Sequence, residues 1–427
     1  MTRLRLGCIA DDFTGATDLA NNLVHSGMRV VQTIGVPRQP SNADVEAIVV
    51  ALKTRTIPSA EAIARSLDAL HWLRSQGARQ IYFKYCSTFD STSEGNIGPV
   101  TEALMDALAE LPGADFAIAT PAFPDNERTV FKGHLFVGDV LLNESGMQHH
   151  PLTPMTDANL VRVLQAQCRR KVGLVDYRVV AQGEGAIRAR FDALRAQGVG
   201  IAVVDAISND DLWRLGPALK GMPLVTAGSG VAIALPANFG IVPSNAASTL
   251  PAAGGAKAVI AGSCSQATRR QVRAFLDTGG AAFGIDPLEI AAGVDVAKRA
   301  LAWCAQQLGR DPVLVYSTAD PATVKSVQER LGVEQAGTMI ECTLAAIARG
   351  LVELGVRQLV VAGGETAGAC VQALRVTQMK IGPQIDPGVP WCHAQTDSEP
   401  IASLHLALKS GNFGGDDFFT RAFSLLA

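Results

Sequence analysis

Asp11-Asp12-Phe13-Thr14-Gly15-Ala16-Thr17-Asp18 is the stretch on which the reading of the chain turns. It follows an apolar run, Leu4 to Ala10, and opens an amphipathic one carrying Leu19, Leu23 and Val24. Strand, polar turn and helix are the expected local structure. Two adjacent carboxylates and a glycine at such a turn bring polar atoms to the carboxyl edge of a strand. Open α/β sheets bind their ligands at that edge. Helix capping competes with this reading, because Asp12 and Thr14 are both good N-cap types. Capping, however, needs one acidic residue and gives Gly15 no task.

The same grammar recurs along the chain. Met28 to Ile34 and Val45 to Leu52 read as strands separated by a polar loop, Pro37 to Asp44, and Pro58 to Arg74 reads as a helix. Arg79 to Lys84 is strand-like and runs into Tyr85-Cys86-Ser87-Thr88-Phe89-Asp90-Ser91-Thr92, then Gly95-Asn96 and a helix through Leu111. After a strand at Phe116 to Thr120 the chain loses periodicity to about Pro154, a length at which loops are often functional. Helix and strand signals alternate from Asn159 to Thr226, ahead of Ala227-Gly228-Ser229-Gly230. Val242 to Lys257, rich in small residues, proline and glycine, reads as a linker. The expected fold is therefore α/β: two parallel-sheet α/β domains, 1–245 and 256–427, joined by a linker, with the active site in the interdomain cleft.

Composition narrows the function classes. The 427 residues exceed one ordinary core, and 48% hydrophobic against 18% charged residues suit a well-buried α/β enzyme. A formal net charge of −3 argues against general nucleic-acid binding. Eight cysteines without a C-x-x-C pair fit neither a zinc site nor a disulfide framework, and reduced thiols of a cytosolic protein are the simpler account. The first apolar stretch stops at Asp11, too short for a signal h-region, and no run approaches the roughly 20 apolar residues that span a bilayer. The expectation is a cytoplasmic protein with a small-molecule substrate, without nucleic-acid or membrane partners, for which a homodimer is one assembly.

In the second half, glycine turns follow strands and start helices. Gly262-Ser263, Gly363-Gly364-Glu365-Thr366 and Gly411-Asn412-Phe413-Gly414 expose backbone N–H groups that suit phosphate. None matches the Walker pattern, and no G-x-G-x-x-G opens a first βαβ unit, so a nicotinamide oxidoreductase is disfavoured. The first half differs in character. Its strand ends carry Asp11, Asp12, Arg55, Lys84, Asp90 and Ser91. Carboxylates hold sugar hydroxyls, and Arg or Lys holds a carboxylate. Surface pairing is the competing account of Arg55 and Lys84. His149-His150 lacks a third ligand and is read as loop, so no dedicated metal site is expected. His134, beside Gly133, is the better candidate for a ligand contact. One domain for hydroxyls and acid groups, another for phosphates, describes a two-domain small-molecule kinase.

Four segments in this order resemble the four-carbon acid sugar kinases over nearly the whole chain: Ala10 to Ala16, Asp90-Ser91-Thr92 with Gly95-Asn96, Ala362 to Thr366, and Lys409 to Gly414. The resemblance implies an N-terminal sugar-acid domain, a C-terminal ATP domain and phosphorylation of the terminal hydroxyl of a four-carbon aldonate. It implies ATP contacts at Ser263 or Ser265, at Gly363, Gly364, Glu365 and Thr366, and at Gly411 and Asn412, with Mg2+ carried on the ATP. Asp12 is the first choice of base and Asp90 the second. Threonate- and erythronate-type members tend to read K-x-D-S-T-L-R-G after the lysine. Here Lys84 to Gly95 has an insertion, and Glu94 stands where the arginine would be. That form is similar to the branch acting on 3-oxo-tetronates, whose product is the 4-phosphate. Arg55 or Lys84 must then take the substrate carboxylate. The alternatives are a D-threonate or D-erythronate 4-kinase and a non-catalytic sugar-acid sensor, which has no need of the glycine turns.

Overall fold

The computed structural model describes residues 4–40, 44–150, 152–319, 321–398 and 401–426. Residues 41–43 of the expected Pro37–Asp44 loop, and Pro151 in the aperiodic stretch, lie outside them. Two compact units result, Met1–Ala247 and Ser248–Ala427.

In the first unit, the strands in chain order are β1 (Leu6–Ala10), β2 (Val30–Ile34), β3 (Ala47–Ala51), β4 (Gln80–Lys84), β5 (Ala117–Thr120), β6 (Arg128–Phe131), β7 (His134–Val137), β8 (Val140–Leu141), β9 (Lys171–Val175), β10 (Val199–Val204) and β11 (Leu224–Ala227). Eight of them pair in parallel in the order β2-β3-β1-β4-β11-β5-β10-β9. Residues of β1, β3, β4 and β10 are buried at every position, because helices cover both faces of a parallel sheet. The chain leaves β1 for β2, at one end of these eight in order, returns through β3, and only then places β4 on the other side of β1. The strand order thus reverses between β1 and β4, the kind of point where open α/β sheets bind ligands. Helix α1 (Phe13–His25) follows β1, α2 (Ser59–Ser75) follows β3, and α3 (Ile97–Ala107) follows β4.

The stretch expected to be irregular instead holds a small antiparallel sheet, β6-β7-β8. Phe131 pairs with His134 across Lys132 and Gly133, whose φ values of 50° and 74° are both positive. Such a two-residue hairpin needs positive φ at both central residues, which Asn-Gly signals and Lys-Gly conceals.

The second unit contains β12 (Ala256–Ala261), β13 (Ala282–Gly284), β14 (Val313–Tyr316), β15 (Val356–Ala362), β16 (Val376–Asp386), β17 (Val389–Ser398) and β18 (Ile401–Lys409). The run β13-β14-β12-β15-β18 is parallel, whereas β18-β17-β16 is antiparallel. The expected α/β fold with parallel sheets holds, and the second unit adds an antiparallel extension to its parallel run. Its hairpin turns at Pro387-Gly388, with Gly388 at φ 77°, a conformation suited to glycine. Fully buried Trp391 on β17 anchors this half of the core and donates its indole N–H to the Ala422 carbonyl at 2.8 Å. Among the described residues, no helix is long and apolar enough to cross a membrane.

Candidate functional site

At the switch point of the first unit, the ends of β1, β3 and β4 bring five of the predicted residues together. Arg55 grips Asp11 through two parallel bonds, Nε to Oδ2 at 2.9 Å and Nη2 to Oδ1 at 2.8 Å, and also reaches Asp12 Oδ1 at 2.6 Å. Its Nη1 lies 3.8 Å from Asp90 Oδ2. Asp12 caps α1 after all: its Oδ1 accepts from the Gly15 N–H at 3.0 Å and its Oδ2 from the Thr14 hydroxyl at 2.7 Å. Capping and clustering are therefore the same arrangement, with Asp11 supplying the second carboxylate that holds the guanidinium.

Burial separates the two acids. It pushes the Asp11 carboxyl up despite the pull of Arg55. Burial acts on Asp12 in the same direction, but Arg55, Lys84, the Thr14 hydroxyl and the Gly15 amide all favour its charged form and hold it below the usual range. Desolvation also works against the charge of Arg55, yet the two aspartates outweigh it and raise its pKa.

Lys84 is no surface charge. It is only 2% exposed, and its ammonium sits over Gly15: a Cβ added to that glycine would lie 2.5 Å from Lys84 Nζ and 2.2 Å from Asp12 Oδ1. Gly15 is thus glycine because a lysine head occupies the space of its side chain. Among the described residues, that ammonium has neither a hydrogen-bond acceptor nor a carboxylate within ion-pair reach, whereas the Arg55 guanidinium is already committed to aspartates. Asp11, Asp12 and Asp18 act on it only through charge, so its N–H donors are left for an anionic ligand.

Asp90 is held differently. Its Oδ1 accepts from the Thr88 hydroxyl at 2.6 Å, and it follows Phe89, a fully buried aromatic at φ 52° packed edge-on against Tyr85. A bulky residue in the left-handed region is strained, and here the strain aims the next side chain back at Arg55.

Two predicted residues stand apart. The Ser91 hydroxyl accepts from Gln167 Nε2 at 2.9 Å and fills the space beside Gly95. The His134 ring bonds to the Lys132 carbonyl at 2.9 Å and to Asn159 at 3.3 Å, on the small sheet.

Three residues escaped the sequence reading. Asp18, one turn beyond Gly15 on α1, accepts a hydrogen bond from Ser229, and its other oxygen is buried without a partner. Burial raises its pKa to about 7, against the attraction of Lys84. Arg128 is buried as well, and that burial lowers its pKa against the attraction of Cys86, Asp90 and Asp18. Asp18 closes the opening stretch, and Ser229 lies in the glycine turn after β11. Neither position, nor that of Arg128, carries a local signal of its burial.

In the second unit the glycine turns meet at the carboxyl ends of β12, β15 and β18. A Cβ on Gly262 would lie 2.1 Å from Thr366 Oγ1, one on Gly363 would lie 3.2 Å from the Ser263 nitrogen, and one on Gly411 would lie 2.4 Å from Ser263 Oγ. Gly363, at φ 127°, starts helix Gly364–Ala373 without a side-chain cap, so its first-turn amides suit an anion. Ser265 caps helix Gln266–Asp277, accepting from the Thr268 N–H at 3.2 Å. Gly364, Glu365 and Asn412 are exposed on this rim, and Thr366 is buried beneath it. The donor set and the space kept clear of side chains fit a polyphosphate. Buried Lys409 lies under the rim, its pKa lowered by burial to about 7.

Comparison with known proteins agrees with this division. A family model described as a sugar-binding N-terminal domain matches residues 6–235, and one described as a nucleotide-binding C-terminal domain matches residues 258–419. A 3-oxo-tetronate kinase of Burkholderia multivorans is 58% identical, covering 100% of this chain and 98% of the relative. One of Pseudomonas fluorescens is 57% identical over 99% of this chain and 97% of its own. Among solved structures, a Salmonella typhimurium LT2 protein provisionally called a tRNA synthase matches with a TM-score of 0.86 at 41% identity, over 99% of this chain and 100% of that one. A Haemophilus influenzae protein matches with a TM-score of 0.76 at 45% identity, over the same shares.

Proposed function

The chain belongs to the family in which a sugar-binding N-terminal domain precedes a nucleotide-binding C-terminal domain, and from that premise we propose that it is a 3-oxo-tetronate kinase. ATP gives its terminal phosphoryl group to the C4 hydroxyl of the sugar acid; ADP, the 4-phosphate and a proton leave. The observation that carries the assignment is the Lys84 ammonium, without a hydrogen-bond acceptor among the described residues and set over Gly15 beside the Arg55–aspartate cluster, a site for a carboxylate on a polyhydroxylated chain. Lys84 takes the substrate carboxylate. Asp11 and Asp12 fix Arg55, and Asp90 and Arg55 line the rest of the acid-binding surface. As proton acceptor, Asp90 is favoured over Asp12, whose oxygens already receive three hydrogen bonds. In the second unit, Ser263, Gly363 to Thr366 and Gly411 hold the nucleotide phosphates. The ATP carries Mg2+, which binds largely through phosphate oxygens and water.

Ligand-dependent melting tests the reading at once, since a ligand that binds only the folded state raises the melting temperature. Magnesium-ATP and a 3-oxo-tetronate should each raise it, and NAD should not. Stabilisation by NAD alone would refute the kinase assignment.

A further inference from the structure

The loop that follows β18 has its carbonyl oxygens gathered on one side. Lys409, fully buried, runs its ammonium beneath the loop and donates to the carbonyls of Ser410 at 2.9 Å, Gly411 at 3.0 Å and Phe413 at 3.0 Å, and to the Thr268 hydroxyl at 3.2 Å. Helix Gln266–Asp277 and its cap complete the clasp. Ser265 and Thr268 donate their hydroxyls to the Gly411 carbonyl at 2.6 and 2.9 Å. Gln271 Nε2 donates to the carbonyls of Phe413 at 3.0 Å, Gly414 at 2.9 Å and Gly415 at 3.1 Å.

A planar trans peptide sets the carbonyl of one residue opposite the N–H of the next. Carbonyls of Ser410, Gly411 and Phe413 turned toward Lys409 therefore turn the N–H groups of Gly411, Asn412 and Gly414 the other way. Among the described residues none of these three amides has an acceptor, whereas the Phe413 N–H bonds to Ser410 and the Gly415 N–H to Asp386. Unbonded amides therefore sit opposite clasped carbonyls at all three peptides. A row of amides facing one way is an anion-binding nest. The space above Gly411 is bounded by Ser263 and Ser265, which places the nest beside the other glycine turns.

We propose that Lys409 is a positioning residue of the nucleotide site, whose clasp on the loop carbonyls presents the Gly411, Asn412 and Gly414 amides to a phosphate group. The inference rests on the nucleotide-binding reading of this unit. Lys409 touches no phosphate itself: it stands on the carbonyl side of the loop and acts through the backbone.

The test uses the full-length chain with Lys409→Met, Lys409→Arg and Gln271→Leu, titrated with magnesium-ATP and with inorganic tripolyphosphate, together with steady-state kinetics. Lys409→Met should weaken both ligands about tenfold or more, the scale of a lost charge-assisted hydrogen bond. It should raise the KM for ATP by a similar factor and leave the KM for the sugar acid unchanged. Lys409→Arg, which can still donate to the carbonyls, should recover part of the loss. A purely structural role would lower the melting temperature without this split between the two KM values. If Lys409→Met does not fold, Gln271→Leu must raise the ATP KM selectively, because it releases the Phe413 carbonyl that Lys409 also holds, together with those of Gly414 and Gly415, and leaves the lysine charge in place. A folded Lys409→Met, or failing that Gln271→Leu, with wild-type affinity for ATP and tripolyphosphate would overturn the proposal. Wild-type protein that binds neither ligand would remove the nucleotide reading, and this proposal with it, before any variant is compared.

Discussion

Gly15 and Lys84 form the contact on which the acid cluster is built. Gly15→Ala places a methyl group 2.5 Å from Lys84 Nζ and 2.2 Å from Asp12 Oδ1, so something must move. Overpacking of this kind costs about 1–3 kcal/mol, and we expect a lower urea midpoint together with a turnover loss larger than that destabilisation explains. Lys84→Met should raise the KM for the sugar acid and leave ATP binding intact; an unchanged acid KM would remove Lys84 from substrate binding. Asp18 gives a pH signature. Its folded pKa, raised to about 7 by burial, lies above its ordinary value of 3.8, so across that interval the folded state keeps a proton the unfolded chain has lost. Stability should fall with rising pH by about 1.4 kcal/mol per unit through the interval. Asp18→Asn should remove that slope, which urea midpoints at pH 4 and pH 8 would reveal; parallel profiles for the two proteins would contradict it. The strand-end residues Asp11, Asp12, Arg55, Lys84 and Asp90 were legible because a polar residue directly after an apolar run has a predictable place. Asp18 and Arg128 were not, because their importance comes from burial against other elements, and burial of a charge leaves no local pattern.

Elements place those residues, and the connections between elements hold them still. Asn96, just before α3, donates its amide to the carbonyls of Thr54 at 2.8 Å, Arg55 at 3.2 Å and Ile57 at 2.8 Å, and accepts from the Ser59 hydroxyl at 2.8 Å. One side chain thus pins the β3–α2 connection that carries Arg55. Asn96→Ala leaves buried carbonyls unsatisfied at a cost of about 1–3 kcal/mol. Loosening of Arg55 should raise the acid KM more than it alters the ATP KM; equal changes in both would argue for a global effect. Parallel strands and their helices were readable from apolar runs followed by polar turns. The two antiparallel pieces were missed for local reasons. Lys132-Gly133 hides its hairpin behind a lysine at φ 50°, and β16 to β18 alternate too little between buried and exposed residues to stand out as antiparallel strands.

The candidate residues fall into two groups, one in each of the units Met1–Ala247 and Ser248–Ala427, and each group lies at the carboxyl ends of its unit's parallel strands. That division was visible in the sequence as carboxylates and cations in one half and glycine turns in the other. The identity of the acid was visible only through the Lys84–Gly95 turn, which lacks an arginine and carries Glu94. The most direct measurement is therefore ADP release with magnesium-ATP across a panel of four-carbon acids that includes 3-oxo-erythronate, D-threonate and D-erythronate. The account predicts that a 3-oxo acid is turned over with a kcat/KM above that of both aldonates. Preference for D-threonate or D-erythronate, or ATP binding without turnover of any acid in the panel, would contradict it.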